Sequence, residues 1–276
     1  MAIPEPRTTA GAAGLAALLK DPARAVVALD FDGTLAPIVA DPERAHAHPD
    51  AVPALARLAP KVAAVAVVTG RPAEAAVRLG GFAGVAGLEH LTVLGHYGLE
   101  RWDAATGDVT APEVHPGIAA LRAELAVLPV PEGTWIEDKG HAIAVHTRRT
   151  ADPDAAIVAL DAPLRTLAER HRLAVEPGRM VMELRPPGMD KGVALTGFLR
   201  ERDAGSVLFA GDDLGDLAAY AAVEALRAGS GLPGLLVCSA PATGEPPVAA
   251  LADRADLVVP GPDGVAALLA ALADAL

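Results

Sequence analysis

The chain has 276 residues, of which 52% are hydrophobic and only 3% aromatic, so its core must be built mainly from Ala, Val and Leu. Acidic residues outnumber basic ones by 35 to 23, and the net charge of −12 argues against nucleic acid as the main partner, because the phosphate backbone attracts basic surfaces. The apolar runs are too short for a membrane span and no strong basic cluster begins the chain, so we expect no membrane association, no signal peptide and a cytoplasmic location.

Short apolar strands alternate with helical patterns in the first and last thirds of the chain. Strands are predicted at residues 25–29, 61–68, 206–210, 235–238 and 256–259. Helices are predicted from Pro72 onward, over 214–228 and over 264–276. This alternation predicts an α/β fold with a Rossmann-like, doubly wound and mostly parallel sheet that helices cover on both faces.

The middle third has a different pattern, which predicts an inserted α+β module. Its elements come in the order helix, hairpin, helix, hairpin, at residues 114–128, 134–148, 155–170 and 173–184. Mixed polar and β-forming residues in the hairpins favour antiparallel strands with one solvated face. The chain is therefore expected to consist of a core, residues 1–109 and 187–276, and an inserted α+β module, residues 110–186.

Two carboxylates, Asp30 and Asp32, follow the first predicted strand and precede a Gly33-Thr34 turn. Ligands of open α/β sheets bind at the carboxyl ends of strands, and two acids placed there repel each other unless a cation offsets them. Mg²⁺ prefers such oxygen ligands, and carboxylates are known nucleophiles that form aspartyl-phosphates. The segment therefore predicts metal-assisted phosphoryl transfer.

Three further segments bring reactive residues to strand ends or helix starts. They are Thr69-Gly70 after the second strand, Lys191, and Asp212-Asp213 after the strand at 206–210. Each segment alone has little specificity, since a lone pair of acids is more often a turn or a helix cap. Because parallel strands end at one edge of a sheet, the four segments together predict a single site.

The order of these four segments resembles that of the haloacid dehalogenase-like phosphatase superfamily, whose members carry inserted caps. The resemblance implies that Asp30 is the nucleophile and that Asp32 protonates the leaving oxygen and then activates the hydrolytic water. It implies that Thr69 binds phosphoryl oxygens and that Lys191 neutralises charge between Asp30 and the phosphate. Neighbouring residues of the same motifs are expected to bind substrate, namely Gly33, Thr34, Gly70 and Arg71.

The resemblance also implies a bound Mg²⁺. Asp30 and Asp212 would hold the metal together with the main-chain carbonyl of Asp32. Asp213 and Asp216 would act at the metal directly or through water.

Three runs in and after the predicted cap resemble the trehalose-6-phosphate phosphatase family. They are residues 136–140 with 145–148, residues 178–186 and residues 190–192. The resemblance implies that Glu137, Lys139 and Glu183 bind the disaccharide, with His146 and Arg148 nearby. The expected substrate is therefore a small-molecule sugar phosphate, trehalose 6-phosphate.

The fourth motif departs from the family pattern, because Gly215 and Leu217 stand where a threonine and a glutamate are common. His96, in the run Gly95-His96-Tyr97-Gly98, is shifted by one position from a family His-Gly pair and is more typical of a turn histidine. Two alternatives stay open: a phosphatase for sucrose 6-phosphate, mannosyl-3-phosphoglycerate or glucosyl-3-phosphoglycerate, and a non-catalytic sugar-phosphate sensor or synthase-complex subunit. A trehalose-6-phosphate synthase is a candidate partner that the sequence itself does not show.

Overall fold

The computed structural model describes residues 3–39, 41–178, 180–241 and 247–276. Its strands are β1 (Ala25–Leu29), β2 (Ala64–Val68), β3 (Leu91–Gly95), β4 (Glu100–Asp103), β5 (Val109–Thr110), β6 (Trp135–Asp138), β7 (Ile143–His146), β8 (Ala174–Gly178), β9 (Val181–Arg185), β10 (Ser206–Gly211), β11 (Gly234–Ala240) and β12 (Leu257–Pro260). Its helices are α1 (Thr9–Lys20), α2 (Ala51–Leu58), α3 (Ala73–Gly80), α4 (Pro116–Leu125), α5 (Pro153–His171), α6 (Lys191–Glu201), α7 (Leu217–Gly229), α8 (Ala249–Ala252) and α9 (Gly261–Ala275). Within the described ranges, no helix has both the length and the hydropathy that crossing a membrane requires.

The chain forms two compact units. The first consists of Met1–Ala111 and Asp190–Leu276, and the second, Pro112–Met189, is inserted in the sequence between these two segments. The sequence had placed the ends of the insertion at residues 110 and 186.

The first unit contains an eight-stranded sheet in the order β12-β11-β10-β1-β2-β3-β4-β5. The strands from β12 to β3 pair in parallel, and β4 and β5 extend the sheet antiparallel. All five residues of β1 are buried, and they alternate between two apolar clusters: Val27 and Leu29 face one, and Val26 and Ala28 face the other. Apolar residues on both faces are what a sheet covered by helices on both sides requires, so the predicted α/β fold is confirmed.

Several parts of this unit differ from the expectation, and β3, α2 and α6 are among the elements that were not predicted. Helix α1 was not predicted; its N-cap Thr8 accepts a hydrogen bond from the amide of Gly11, and the helix packs on β10 and β11. The antiparallel pair β4 and β5 was not predicted either. Strand β2 begins at Ala64 rather than at residue 61, because Ala59–Lys61 form one tight helical turn around Pro60.

The position of β1 determines where the motifs meet. It pairs with β2 on one side and with β10 on the other, so the chain order reverses at the boundary between β1 and β10. Ligands of doubly wound sheets bind outside the carboxyl ends of the strands at such a reversal. The residues that follow β1, β2 and β10 are Asp30, Thr69 and Asp212.

The second unit contains a four-stranded antiparallel sheet in the order β6-β7-β9-β8. One face of this sheet is apolar and, through Val145 and Leu184, packs in a cluster with Leu121 of α4 and Leu164 of α5. Because side chains alternate along a strand, the opposite face carries the polar residues of the same strands. An additional antiparallel sheet of this kind fits the expected cap.

Candidate functional site

Asp30 and Lys191 form a buried ion pair at the end of β1. The amide of Asp30 continues the β1–β10 pairing by donating to the carbonyl of Ala210 at 2.8 Å. Lys191 is the first residue of α6, and its Nζ lies 2.7 Å from Asp30 Oδ1 and 2.8 Å from Asp216 Oδ1. A buried ammonium of this kind is stabilised only because two carboxylates contact it.

Asp216 fixes the position of that lysine. Its side chain is fully buried, and its Oδ2 accepts hydrogen bonds from the amides of Asp212 and Asp213 at 2.9 and 3.2 Å. One carboxylate therefore ties Lys191 to the turn after β10. The spacing of Asp213 and Asp216 is that of a helix capping box, a local signal that could have identified this role from the sequence.

Three carboxylates come together at the ends of β1 and β10. Oxygens of Asp30, Asp212 and Asp216 all lie within 4.8 Å of one another. Asp212 Oδ1 is buried and has no hydrogen-bond partner within the part of the chain that the structure describes. An unpartnered anionic oxygen in an all-oxygen donor set fits a hard divalent cation. The expected metal ligand Asp213 is not in this group; its side chain is exposed and accepts a hydrogen bond from the Gly215 amide at 2.8 Å.

The acidic cluster shifts the protonation of its members. Burial raises the pKa of Asp30 well above its usual range, the charge of Lys191 works against this, and the charge of Asp216 adds to it. The pKa of Asp212 is also raised well above its usual range, mainly by burial and next by the charge of Asp30. Burial works to lower the pKa of Lys191, but Asp216 and Asp30 outweigh it and raise that pKa. A second cation near the carboxylates would therefore favour their anionic forms.

Asp32 is held by Arg71 rather than by the acidic cluster. Arg71 donates from Nε to Asp32 Oδ2 and from Nη2 to Asp32 Oδ1, both at 2.7 Å. These two bonds link the first and second motifs, and the amide of Arg71 donates within the second motif to Thr69 Oγ1 at 3.2 Å. The structure thus brings Asp32, Thr69 and Arg71 together, whereas the carboxylate of Asp32 is not in the group of three that could bind a metal.

The turn after Asp32 depends on close packing. Gly33 has a φ of +74°, and a Cβ at this position would overlap the carboxylate of Asp212, so glycine is required on both grounds. Its carbonyl accepts a hydrogen bond from the hydroxyl of Ser239 at 2.7 Å, a contact that sequence reasoning did not identify. Thr34 is fully buried, and its hydroxyl has no hydrogen-bond partner among the described residues.

The turn at residues 96–98 supports the second motif. The amide of Tyr97 donates to the carbonyl of Thr69 at 2.9 Å, and the amide of His96 donates to the carbonyl of Arg71 at 2.9 Å. The phenol of Tyr97 lies against Gly70, where a Cβ would approach its hydroxyl to 2.6 Å. His96 and Tyr97 both have positive φ, at 46° and 58°, so two strained residues brace this site.

The polar face of the second unit carries the predicted sugar ligands in register. Glu137 of β6 pairs with Ala144 of β7, which pairs with Glu183 of β9, so the two glutamates lie on one face with a small residue between them. Lys139 Nζ contacts Glu183 Oε2 at 2.5 Å, although Glu183 is buried. The other oxygen of Glu183, Oε1, is buried without a hydrogen-bond partner among the described residues.

The remaining predicted sugar ligands divide between this row and the surface. His146 Nε2 lies 2.9 Å from Glu137 Oε2, and its ring stacks on Trp135 with centroids 4.6 Å apart. Arg148 lies in the exposed turn after β7 and is not brought into the row. Its neighbour Arg149 lies over the Trp135 ring at 5.3 Å.

Comparison with known proteins gives consistent matches. The trehalose-phosphatase family model matches residues 28–250. The trehalose-phosphate phosphatase of Mycobacterium tuberculosis H37Rv is 37% identical over 205 residues, which cover 70% of this chain and 50% of that protein. The chain thus spans about half the length of the curated relatives it matches.

Solved structures share the fold. The C-terminal domain of the Candida albicans trehalose-6-phosphate phosphatase matches with a TM-score of 0.74 and 21% identity, covering 99% of both chains. A haloacid dehalogenase-like hydrolase from Bacteroides thetaiotaomicron matches with a TM-score of 0.59 and 17% identity, covering 88% of this chain and 97% of that one. The expected haloacid dehalogenase-like fold with an additional α+β unit is therefore confirmed.

Proposed function

We propose that this chain, which belongs to the trehalose-phosphatase family, hydrolyses trehalose 6-phosphate to trehalose and phosphate. The observation that supports it most is the buried Asp30 at the end of β1, paired with Lys191 and close to the Asp212 carboxylate. Asp32 lies two residues further on, bound to Arg71. A nucleophile, a second carboxylate and a cation at one strand end suit phosphoryl transfer, which depends on positioning and electrostatic stabilisation.

In the first step of this mechanism, a carboxylate oxygen of Asp30 attacks phosphorus and the bond from phosphorus to the sugar oxygen breaks. The leaving oxygen takes a proton from Asp32, which becomes a carboxylate. Lys191 stays within hydrogen-bond distance of Asp30 and offsets the combined negative charge of the attacking carboxylate and the phosphoryl group. The products of this step are free sugar and an aspartyl-phosphate at Asp30.

In the second step, water attacks the phosphorus of the aspartyl-phosphate and gives its proton to Asp32. The bond between phosphorus and Asp30 breaks, which releases phosphate and restores Asp30 as a carboxylate. Asp32 again carries the proton that the next turnover needs, so the cycle is balanced. Asp216 takes no part in bond making, but it holds Lys191 in place throughout.

Mg²⁺ is the cation that we propose for this site, held by the carboxylates of Asp30 and Asp212 with the main-chain carbonyl of Asp32. It would supply positive charge that offsets both the acidic cluster and the phosphoryl group. Asp213 would act at the metal only indirectly, since its side chain is engaged by Gly215.

Phosphate release from a panel of phosphate esters tests this function. The panel contains trehalose 6-phosphate, sucrose 6-phosphate, mannosyl-3-phosphoglycerate, glucosyl-3-phosphoglycerate and p-nitrophenyl phosphate, each with Mg²⁺ and with EDTA. We expect a preference for trehalose 6-phosphate that EDTA removes. If phosphate is released in a metal-dependent way only from another sugar phosphate, the proposed substrate is wrong. If no ester is hydrolysed but trehalose 6-phosphate still binds, the result favours a non-catalytic sensor.

Sugar recognition is proposed to involve the polar row of the second unit, and Glu183→Gln tests it. The amide keeps the size of the side chain but loses the charge that Lys139 contacts and the acceptor strength of the buried Oε1. Hydrogen bonds to charged groups contribute about 1.5–3 kcal/mol, so kcat/KM for trehalose 6-phosphate should fall about 10- to 100-fold. For p-nitrophenyl phosphate, which has no sugar, kcat/KM should stay unchanged.

Glu169→Gln is the matched control, because Glu169 is an exposed residue of α5 and should affect neither substrate. An equal loss on both substrates in Glu183→Gln would mean that Glu183 acts on the phosphate chemistry and not on the sugar.

A further inference from the structure

The contact between Arg71 and Asp32 is a two-point ion pair. Both carboxylate oxygens of Asp32 accept a hydrogen bond from one guanidinium, each at 2.7 Å. The Arg71 side chain is only 14% exposed, whereas that of Asp32 is 38% exposed. Paired N–H groups that match both oxygens of a carboxylate fix its orientation as well as its position.

Arg71 is itself fixed by groups from several elements. Its amide donates to Thr69 Oγ1 and its carbonyl accepts from the amide of His96. Its guanidinium lies 5.7 Å from the centre of the buried Phe31 ring. The backbone and the side chain of Arg71 are thus both held in place, so its guanidinium is preorganised to bind the carboxylate of Asp32.

We propose that Arg71 is the positioning residue for Asp32 and acts on the reaction through it. This role rests on the proposed function, since it assigns Asp32 to proton transfer. A guanidinium has only donors and stays charged, so it pairs best with Asp32 as a carboxylate. That is the form Asp32 takes once it has given its proton to the leaving oxygen.

The proton balance shows where Arg71 contributes. As the bond from Asp30 to phosphorus forms and the ester bond breaks, the proton of Asp32 moves to the leaving sugar oxygen, and Arg71 stabilises the resulting carboxylate. Arg71 then keeps that carboxylate oriented until the hydrolytic water gives a proton back to it. Arg71 gains and loses no proton in either step.

Dependence on the leaving group separates this role from binding of the phosphate by Arg71. A sugar alkoxide needs a proton as it leaves, whereas p-nitrophenolate leaves without one. A residue that acts through Asp32 therefore affects the sugar phosphate and spares the aryl phosphate. A residue that binds the phosphoryl group affects both esters alike.

The test compares Arg71→Ala and Arg71→Lys with wild type on trehalose 6-phosphate and on p-nitrophenyl phosphate, using kcat/KM, which reports the steps up to transfer onto Asp30. We expect Arg71→Ala to lower kcat/KM about 10- to 100-fold on the sugar phosphate and less than about threefold on the aryl phosphate. Arg71→Lys keeps the charge without the fork and should lose less, with the same selectivity. Arg78→Ala is the control, because Arg78 is exposed on α3 and pairs with Glu43.

A double-mutant cycle with Asp32→Asn completes the test. If Arg71 acts through Asp32, adding Arg71→Ala to Asp32→Asn should change kcat/KM by less than about threefold. Equal losses on both esters, no loss on either, or full additivity in the cycle would overturn the proposal. Thermal melting of each variant identifies folding defects, and Arg71→Lys decides the question if Arg71→Ala does not fold.

Failure of the proposed role of Arg71 can be distinguished from failure of the proposed function. If wild type does not hydrolyse trehalose 6-phosphate, the proposed substrate is wrong. The comparison between whichever sugar phosphate of the panel is hydrolysed and the aryl phosphate still decides the role of Arg71. If no ester of the panel is hydrolysed, both proposals fail.

Discussion

Asp30→Asn is expected to abolish phosphate release, with kcat/KM falling by roughly 10⁴-fold or more. Asparagine has nearly the same shape, but its amide is a poor nucleophile and cannot form the aspartyl-phosphate. The substitution also removes the carboxylate that contacts Lys191 at 2.7 Å and one of the three carboxylates that lie close together. Both the covalent step and the proposed metal site are lost together.

The measurement is phosphate release from trehalose 6-phosphate with saturating Mg²⁺, alongside mass spectrometry of the protein for a phosphoryl adduct. Asp263→Asn makes the same chemical change at a carboxyl that is 70% exposed and pairs with His48, and it should retain full activity. Residual turnover of Asp30→Asn within tenfold of wild type would exclude Asp30 as the nucleophile.

Lys191→Met is expected to lower both activity and stability. It leaves Asp30 and the fully buried Asp216 without the ammonium that each contacts. Removing one partner of a buried ion pair typically costs about 3–5 kcal/mol, which corresponds to a fall in Tm of roughly 6–20 °C for a domain of this size. Turnover should fall by about 10³-fold, because the charge that stabilises the transferring phosphoryl group is absent.

The double variant Lys191→Met with Asp216→Asn separates the two effects. Replacing Asp216 removes one of the buried charges left uncompensated, so part of the lost Tm should return, while turnover stays as low as in Lys191→Met. Melting is measured in EDTA so that bound metal does not mask the difference, with Lys20→Met at an exposed lysine of α1 as control. An unchanged Tm in Lys191→Met would show that the buried pair does not stabilise the fold.

Strands that carry the motifs could be predicted from the sequence because they are fully buried and short. The run Ala25–Leu29 is apolar throughout. A run this short and without polar residues is typical of a strand that is covered on both faces. The segments of Asp30, Thr69 and Asp212 follow parallel strands, which end at one edge of the sheet, whereas Lys191 reaches Asp30 from the start of α6. Helix α1 was missed because its Ala-rich sequence gives only a weak amphipathic pattern. The strands on which it packs, β10 and β11, lie far along the chain, so the local sequence does not indicate which face is buried.

Side-chain partners were harder to predict than strand positions. Nothing in the sequence pairs Arg71 with Asp32, since the two lie on different strand ends and meet only in the folded sheet. Which of Asp213 and Asp216 lies close to Asp30 and Asp212 depends on the tight turn after β10. This turn buries Asp216 and leaves Asp213 exposed. Arg148 follows the parity of its strand but lies beyond the last residue of β7, so parity no longer fixes its direction.

The neighbours of β1 have a consequence for synthesis of the protein on the ribosome. Ala25 pairs with Ser206, so β1 can pair with β10 only after roughly 180 further residues have been translated. Helix α1 packs on β10 and β11 and therefore depends on the same part of the chain. At about 5–20 residues per second, the nascent chain is without that partner for roughly 10–40 s. For nearly all of this time Asp30 is already made and Lys191 is not, so their buried ion pair forms only after the start of α6 has been translated.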